Sequence, residues 1–379
     1  MELVFGIVLG LLILVFLVVV HELGHAIVAR RNGVVVEEFG IGFPPRAWGK
    51  KLKNGVLFTI NWLPLGGFVK LQGEHDAAKK KGDYGAASFA GKTKILLAGV
   101  GINWLVAAGL LTILAWTGLP KILPDQFMIA NDTTISKKPV EIAALVPEYP
   151  AEKAGLQVGD TIVRFAGEEV PSTERLIELT NEYKGQKIDV IYTRGGVEAS
   201  KEVTLRDDES GSVFGAGLGQ REQLQASWSA PLVGVATTAQ FTWVTLQGLG
   251  DLVVNVTKGV VMQFSPDQAA REQAGKDLST AGASVAGPIG ILGVIFPAAE
   301  QAGLTQVLFL TAIISLTLAV MNALPIPALD GGRWFVMALF RVMKKPLTKE
   351  REEKIQGAGF MALMAIVVIV TVADVSKLF

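Results

Sequence analysis

Residues 3–25 read LVFGIVLGLLILVFLVVVHELGH. Leu3 to Val20 is an uncharged run of 18 residues, inside the range of about 17 to 25 that spans a bilayer core as a helix. A signal peptide is the alternative. Against it, the charge before the run is Glu2 rather than a lysine or arginine, and no small-x-small site closes it. A retained span is expected. Directly after it stand His21, Glu22 and His25, a His-Glu-x-x-His pattern. Residues four apart share a helix face, so His21 and His25 can offer imidazole nitrogens to one metal ion. Glu22 lies beside them, placed to take a proton from a water on that ion. A chance motif at a polar helix end is the bland reading. Yet the chain has three histidines and two fall here, where ionisable groups are costly and mark function.

The rest of the chain fits that start. Of 379 residues, 50% are hydrophobic and 18% charged, against about 25% charged in soluble domains, and the mean hydropathy is +0.43. Three more apolar runs follow: Ile95–Leu119 with 25 residues, Ala302–Leu329 with 28 and Gly357–Ala373 with 17. The absence of cysteine excludes disulfides, thiolate nucleophiles and cysteine-bound metals. A net charge of zero gives no reason to expect nucleic acid as a partner. Lysine and arginine crowd the linker between the first two runs (Arg30, Arg31, Lys50, Lys51, Lys79, Lys80, Lys81) and the one after the third (Arg333, Arg341, Lys344, Lys345). Such residues mark the cytoplasmic side. The N-terminus and the long segment between the second and third runs are therefore expected outside. Pro231–Gly250 and Ser279–Ala299 are also uncharged; diluted by polar residues or by glycine and proline, they read as surface-lying, re-entrant or bundle-packed helices. Four or six crossings keep both basic linkers inside; five would not.

A catalytic zinc site wants three protein ligands and an open position. His75, in a polar loop beside a lysine run, reads as a solvated residue. Asp330 is the better third ligand. It closes the run Asn322-Ala323-Leu324-Pro325-Ile326-Pro327-Ala328-Leu329-Asp330-Gly331, in which the two prolines cannot continue a helix ladder and should leave a broken segment of the kind that lines a site within a membrane. The alternative for Asp330 is an N-cap for Gly331–Phe340. The first and third runs both enter from outside, so both motifs emerge at the same face.

Together with Gly99-x-x-x-Asn103 and Gly287-Pro288-Ile289-Gly290, these motifs resemble the bacterial site-2 protease family, intramembrane zinc metalloproteases that cut proteins such as anti-sigma factors or remnant signal peptides. The resemblance covers nearly the whole chain. It implies that His21, His25 and Asp330 bind Zn2+, that Glu22 is the general base, and that Asn322 steadies the substrate backbone or the oxyanion, a role equally open to Asn103. For Asn322 and Asn103 the alternative is a helix–helix hydrogen bond. Gly55 to Leu71 is rich in strand formers and turn residues; in the family this region resembles a membrane-associated β-hairpin or sheet beside the site, with Gly66 and Gly67 in its substrate-facing part. An exposed strand edge can hold an unwound peptide that a helix would conceal. A small cytoplasmic cover domain is the bland alternative.

Between the second and third runs, strands at Val140–Val146, Thr161–Phe165 and Lys187–Thr193 and a helix at Ser172–Tyr183 read as one small α/β domain. It resembles a circularly permuted bacterial PDZ domain, a fold that accepts a peptide end or, here, filters substrate ectodomains by size. The best-known family members carry two in tandem; this chain has one. The expected architecture is thus a polytopic α-helical membrane protein of about four transmembrane helices, with a membrane-associated β-hairpin and one inserted extracytoplasmic PDZ-like domain. Its expected segments are 1–30 (first helix, zinc motif), 31–93 (cytoplasmic linker with the β region), 94–120 (second helix), 121–222 (PDZ-like domain and flanks), 223–300 (surface-lying or re-entrant helices), 301–340 (third segment) and 341–379 (basic linker, fourth helix). The expected setting is a bacterial cytoplasmic membrane, and the expected partners are membrane proteins with a transmembrane segment. A transporter would want paired repeats and has no use for a glutamate between the histidines. A scaffold that has lost catalysis would be expected to lack one of the four residues.

Overall fold

The computed structural model describes residues 2–207, 212–283 and 286–376. The chain divides into two compact units, one of Met1–Leu114 with Pro231–Phe379 and one of Ala115–Ala230.

The first unit begins with α1 (Glu2–Arg31), about 45 Å long at 1.5 Å per residue. The helix therefore carries the His-Glu-x-x-His motif beyond the apolar run without a break. Arg30 and Arg31 suit its C-terminal dipole, and Gly33, at φ +78°, turns the chain out of it. Strands β1 (Val36–Lys51) and β2 (Leu57–Leu71) then form one ribbon. Its register breaks near Gly42 (φ +77°) and Gly66 (φ +101°), and the ribbon doubles on itself. Phe39 pairs with Val69 on one side and Phe58 on the other, while Trp48 pairs with Ile60 and Lys51 with Leu57. Residues 67–71 are thereby left as an outer row. Phe43, Trp48 and Trp62 are exposed, the aromatic character expected of a surface that sits at a membrane interface. Helix α2 (Phe89–Thr117) crosses α1 closely because Gly24 lacks a Cβ; one there would lie 2.8 Å from Ala98 O.

The second unit contains β3 (Leu119–Pro120), β4 (Thr134–Lys137), β5 (Val140–Leu145), α3 (Pro150–Lys153), β6 (Thr161–Phe165), β7 (Glu168–Glu169), α4 (Thr173–Glu182), β8 (Lys187–Arg194), β9 (Val197–Thr204), β10 (Ala216–Gly219) and β11 (Glu222–Gln225). One sheet runs β10-β5-β6-β8-β9 with β7 beside β6, and a small one runs β3-β11-β4. Ser172 caps α4 by accepting the Arg175 N–H. Leu176 and Leu179 of α4 pack on Ile142, Ile162, Phe165, Val190 and Phe214. The buried Asp160 is held by the Arg194 guanidinium, Nε at 2.6 Å and NH2 at 2.7 Å, and by the Gln157 N–H.

The first unit resumes with α5 (Ala230–Met262), a single helix where a shorter segment is expected. Gly234 admits Thr112 of α2, and Trp104 Nε1 donates to Thr242 Oγ1. Then come α6 (Gln268–Ala283), α7 (Pro288–Gly290), a π-helical turn at Ile291–Ile295 and α8 (Phe296–Gln301). Ser284 and Val285, inside the uncharged segment Ser279–Ala299, lie outside the described residues. Phe296 and Pro297 fill the space left by Gly10 and Gly6 of α1. Helix α9 (Leu304–Ala323) stops before Pro325 and Pro327, as ring geometry requires. After a run of bends and turns, in which the Leu329 N–H donates to Ile326 O and Ala328 has φ +78°, α10 (Asp330–Val342) begins. Helix α11 (Lys349–Ser376) lies against that break: a Cβ on Gly359 would sit 2.4 Å from Pro327 O. Among the described residues four helices, α1, α2, α9 and α11, are long and apolar enough to cross a membrane. The chain is a multi-pass membrane protein with a helical bundle, a β ribbon and an inserted α/β domain.

Candidate metal centre

His21 and His25 stand one turn apart on α1, both buried, with ring centroids 4.8 Å apart. The broken segment brings Asp330 to them from the far end of the sequence. Asp330 Oδ2 lies 3.1 Å from His21 Nε2 and 3.2 Å from His25 Nε2, and the two Nε2 atoms are 3.2 Å apart. Leu329, not Asp330, occupies the N-cap of α10.

The cluster brings two nitrogens and a carboxylate oxygen within 3.2 Å of one another. His25 Nδ1 lies 2.7 Å from the Ile95 carbonyl, which can only accept, so the proton of a neutral ring is on Nδ1 and Nε2 carries a lone pair. Asp330 Oδ2 faces the same point. The lone pairs of His25 Nε2 and Asp330 Oδ2 thus meet there, and His21 Nε2 completes the set with a proton when the site is empty or with a third lone pair when a cation is bound. The separations match the edge of a tetrahedron around zinc, about 3.3 Å for bonds of about 2.0–2.1 Å. Gly99 of α2 leaves room for it: a Cβ there would lie 2.5 Å from both His21 Cε1 and His25 Nε2. Two nitrogens and a carboxylate oxygen suit zinc and leave a fourth position for water or substrate.

Glu22 lines a cavity of about 620 Å³ that also reaches His25, Asp330, Val69 and Tyr84. Its Oε2 accepts the Val69 N–H at 3.0 Å. That bond shows which way the outer row of the ribbon faces. In an antiparallel pair both amide groups of a residue point to the same side, so Val69, and with it Gly67 and Leu71, turn N–H and C=O away from the ribbon and towards α1. Gly67 lies against Glu22, and Gly66 against Phe43.

The other sequence candidates fall further out. Asn322 Nδ2 donates to Leu318 O in its own helix, and no described contact joins it to the cluster. Asn103 is fully buried beside His21, on the ring edge away from Asp330. His75 lines the cavity 3.9 Å from Glu353 and does not join the histidine pair. Sequence reasoning gave no role to Arg333. Three residues after Asp330, its guanidinium reaches Glu352 Oε1 at 3.2 Å and Glu74 Oε1 at 3.0 Å and lies over the Tyr84 ring. It ties α10, the helix that carries Asp330, to the loop after β2 and to α11. Gly99 was visible only as the first residue of Gly-x-x-x-Asn.

Residues 9–366 match the family model described as peptidase family M50. A Clostridium perfringens protein named "Putative zinc metalloprotease CPE1693" is 30% identical over 369 residues, covering 97% of this chain and 98% of that one. The zinc metalloprotease RasP of Bacillus licheniformis is 28% identical over 454 residues, covering 97% and 98%. RasP of Geobacillus kaustophilus is 26% identical over 446 residues, covering 96% of each. Among solved structures, the PDZ domain of an SdrC-like protein from Listeria monocytogenes is 20% identical, covers 21% of this chain and 86% of its own, and has a TM-score of 0.20.

Proposed function

The chain belongs to peptidase family M50, and on that footing we propose that it is an intramembrane zinc metalloendopeptidase that hydrolyses peptide bonds in or near the transmembrane segments of membrane proteins. The observation that carries this reading is the convergence of His21 Nε2, His25 Nε2 and Asp330 Oδ2 within 3.2 Å of one another, the spacing of ligands around one zinc ion. These three residues would hold zinc, which when bound supplies a Lewis acid and a water of lowered pKa. Glu22, beside them in the cavity, takes the proton of the attacking water and passes it to the leaving amine. The outward amide groups of 67–71 hold an unwound substrate strand by β-addition, with Gly66 and Gly67 keeping side chains out of its path.

The finer assignments extend the same reading. The bacterial relatives support a bacterial cytoplasmic membrane setting, and the charge pattern supports an orientation with the N-terminus and inserted domain outside and the metal near the cytoplasmic face. The expected seven segments stand as the functional division. The inserted domain, read as PDZ-like, takes a peptide end or screens ectodomain size. Asn322 contributes to the substrate side of the site once its amide leaves Leu318. The substrates in view are anti-sigma factors or remnant signal peptides.

Metal analysis of the full chain tests the reading. One zinc per chain is expected, lost in His21→Ala and Asp330→Ala. A well-folded chain that binds no zinc after gentle purification would overturn it.

A further inference from the structure

Ile95, Gly99 and Asn103 stand four residues apart on α2 and so form one stripe along the helix. Each meets the histidine pair in its own way. The Ile95 carbonyl lies 2.7 Å from His25 Nδ1 and fixes that ring. Gly99 leaves space for both rings. Asn103 lies beside His21 Nδ1, the atom that corresponds to the one Ile95 holds on His25.

Two details of Asn103 are unsatisfactory as they stand. Its Nδ2 is 3.5 Å from His21 Nδ1, long for a hydrogen bond, and its Oδ1 is buried with no hydrogen-bond partner among the described residues. A fully buried amide oxygen left unpaired is destabilising, and Asn103 is 0% exposed. His21 explains both details. With zinc bound between its Nε2, His25 and Asp330, Nε2 gives its lone pair to the metal and Nδ1 carries the proton. An amide NH2 facing an N–H places donor against donor. Turning the amide through 180°, which exchanges two nearly identical groups, sets Oδ1 against Nδ1–H and removes both faults. The remainder of the residue is already fixed, since Ser315 Oγ donates to the Asn103 carbonyl at 2.8 Å.

We propose that Asn103 is a positioning residue: its Oδ1 accepts the Nδ1–H of His21 and holds that imidazole in the tautomer and plane needed for Nε2 to bind zinc. This rests on the zinc reading above. It also sets aside the oxyanion role for Asn103, because the His21 ring stands between its amide and the metal. The pair of outer acceptors, a carbonyl for His25 and an amide oxygen for His21, is what a two-histidine metal site requires of its surroundings.

The test uses the full chain in detergent and the metal alone. Asn103→Leu keeps the volume and removes the acceptor; Asn103→Asp keeps an acceptor. Zinc dissociation constants measured against a competing chelator should weaken about 10- to 100-fold in the leucine variant, the range typical of lost outer partners, and stay within about threefold of wild type in the aspartate variant. With three histidines in the chain, 15N-histidine spectra of the zinc-loaded protein supply a second readout. The Nδ1–H signal of His21 should shift in the leucine variant while that of His25 stays. Unchanged zinc affinity with reduced kcat, unchanged affinity with a lower unfolding midpoint, or an unmoved His21 signal would each overturn the proposal. If the leucine variant does not fold, the wild-type spectrum decides: a His21 proton on Nε2, or an Nδ1–H without a hydrogen-bond shift, overturns it. A wild-type chain that binds no zinc is a separate result, which removes the metal reading itself.

Discussion

Glu22 Oε2 accepts the backbone N–H of Val69 at 3.0 Å, joining the proposed base on α1 to the outer row of the β ribbon. Under the proposed mechanism, the donor that an added substrate strand would use is the one that Glu22 engages. A substrate carbonyl that takes the Val69 N–H would then release the Glu22 carboxylate.

Val69→Pro removes this donor, and proline is tolerated on an outer strand whose N–H faces away from the ladder. A hydrogen bond to a charged group contributes about 1.5–3 kcal/mol, so kcat/KM should fall about 10- to 100-fold. Bound zinc should remain at the wild-type level, which metal analysis of the same preparation checks.

Gly99→Ala places a methyl group 2.5 Å from His21 Cε1 and His25 Nε2. Neither ring can move far, because α1 and α2 cross at Gly24. Zinc binding and cleavage should both be lost while helix content, read by circular dichroism, is retained.

Arg333 neutralises Glu74 and Glu352 at once. Arg333→Met leaves two carboxylates without their cation. Glu352 is buried while Glu74 is partly exposed, so the cost lies below the ~3–5 kcal/mol of breaking a fully buried pair. The thermal unfolding midpoint should drop clearly. Arg333→Lys should recover part of the loss, since it restores the charge and not the fork.

In the inserted domain, burial pushes the Asp160 carboxyl up, but the Arg194 guanidinium and the Gln157 N–H outweigh it and hold its pKa below the ordinary value. A lowered folded pKa gives stability that is present above the unfolded pKa of about 3.9 and fades as pH falls through the folded one. Asp160→Asn should therefore lower the unfolding midpoint of this domain at pH 7, and the gap to wild type should close below about pH 4. Melting curves across that range check it.

The parts legible in the sequence are those with local causes. Leu3–Val20 reads as a span by length alone, the two histidines share a face by helical period, and Pro325 and Pro327 announce the break that delivers Asp330. Strand formers at Val140, Thr161 and Lys187 marked most of the inserted domain. Strand β10, Ala216–Gly219, carries no such signal; it is a strand because β5 pairs with it. The Glu22–Val69 bond depends on ribbon register across 47 residues, and the Arg333–Glu74 contact joins residues 259 apart. Neither separation has a pattern to read. Asn322 is a site candidate through the family resemblance alone; in the structure its amide donates to Leu318 O, a local contact that leaves no pattern in the sequence.

The most direct measurement reconstitutes the full chain in lipid vesicles with a single-span membrane protein and weighs the fragments by mass spectrometry. Wild-type protein should produce one pair of fragments cut within or beside the span, and Glu22→Gln, with zinc still bound, should produce none. Intact substrate with the wild-type protein fully loaded with zinc, or equal cleavage by Glu22→Gln, would contradict the account.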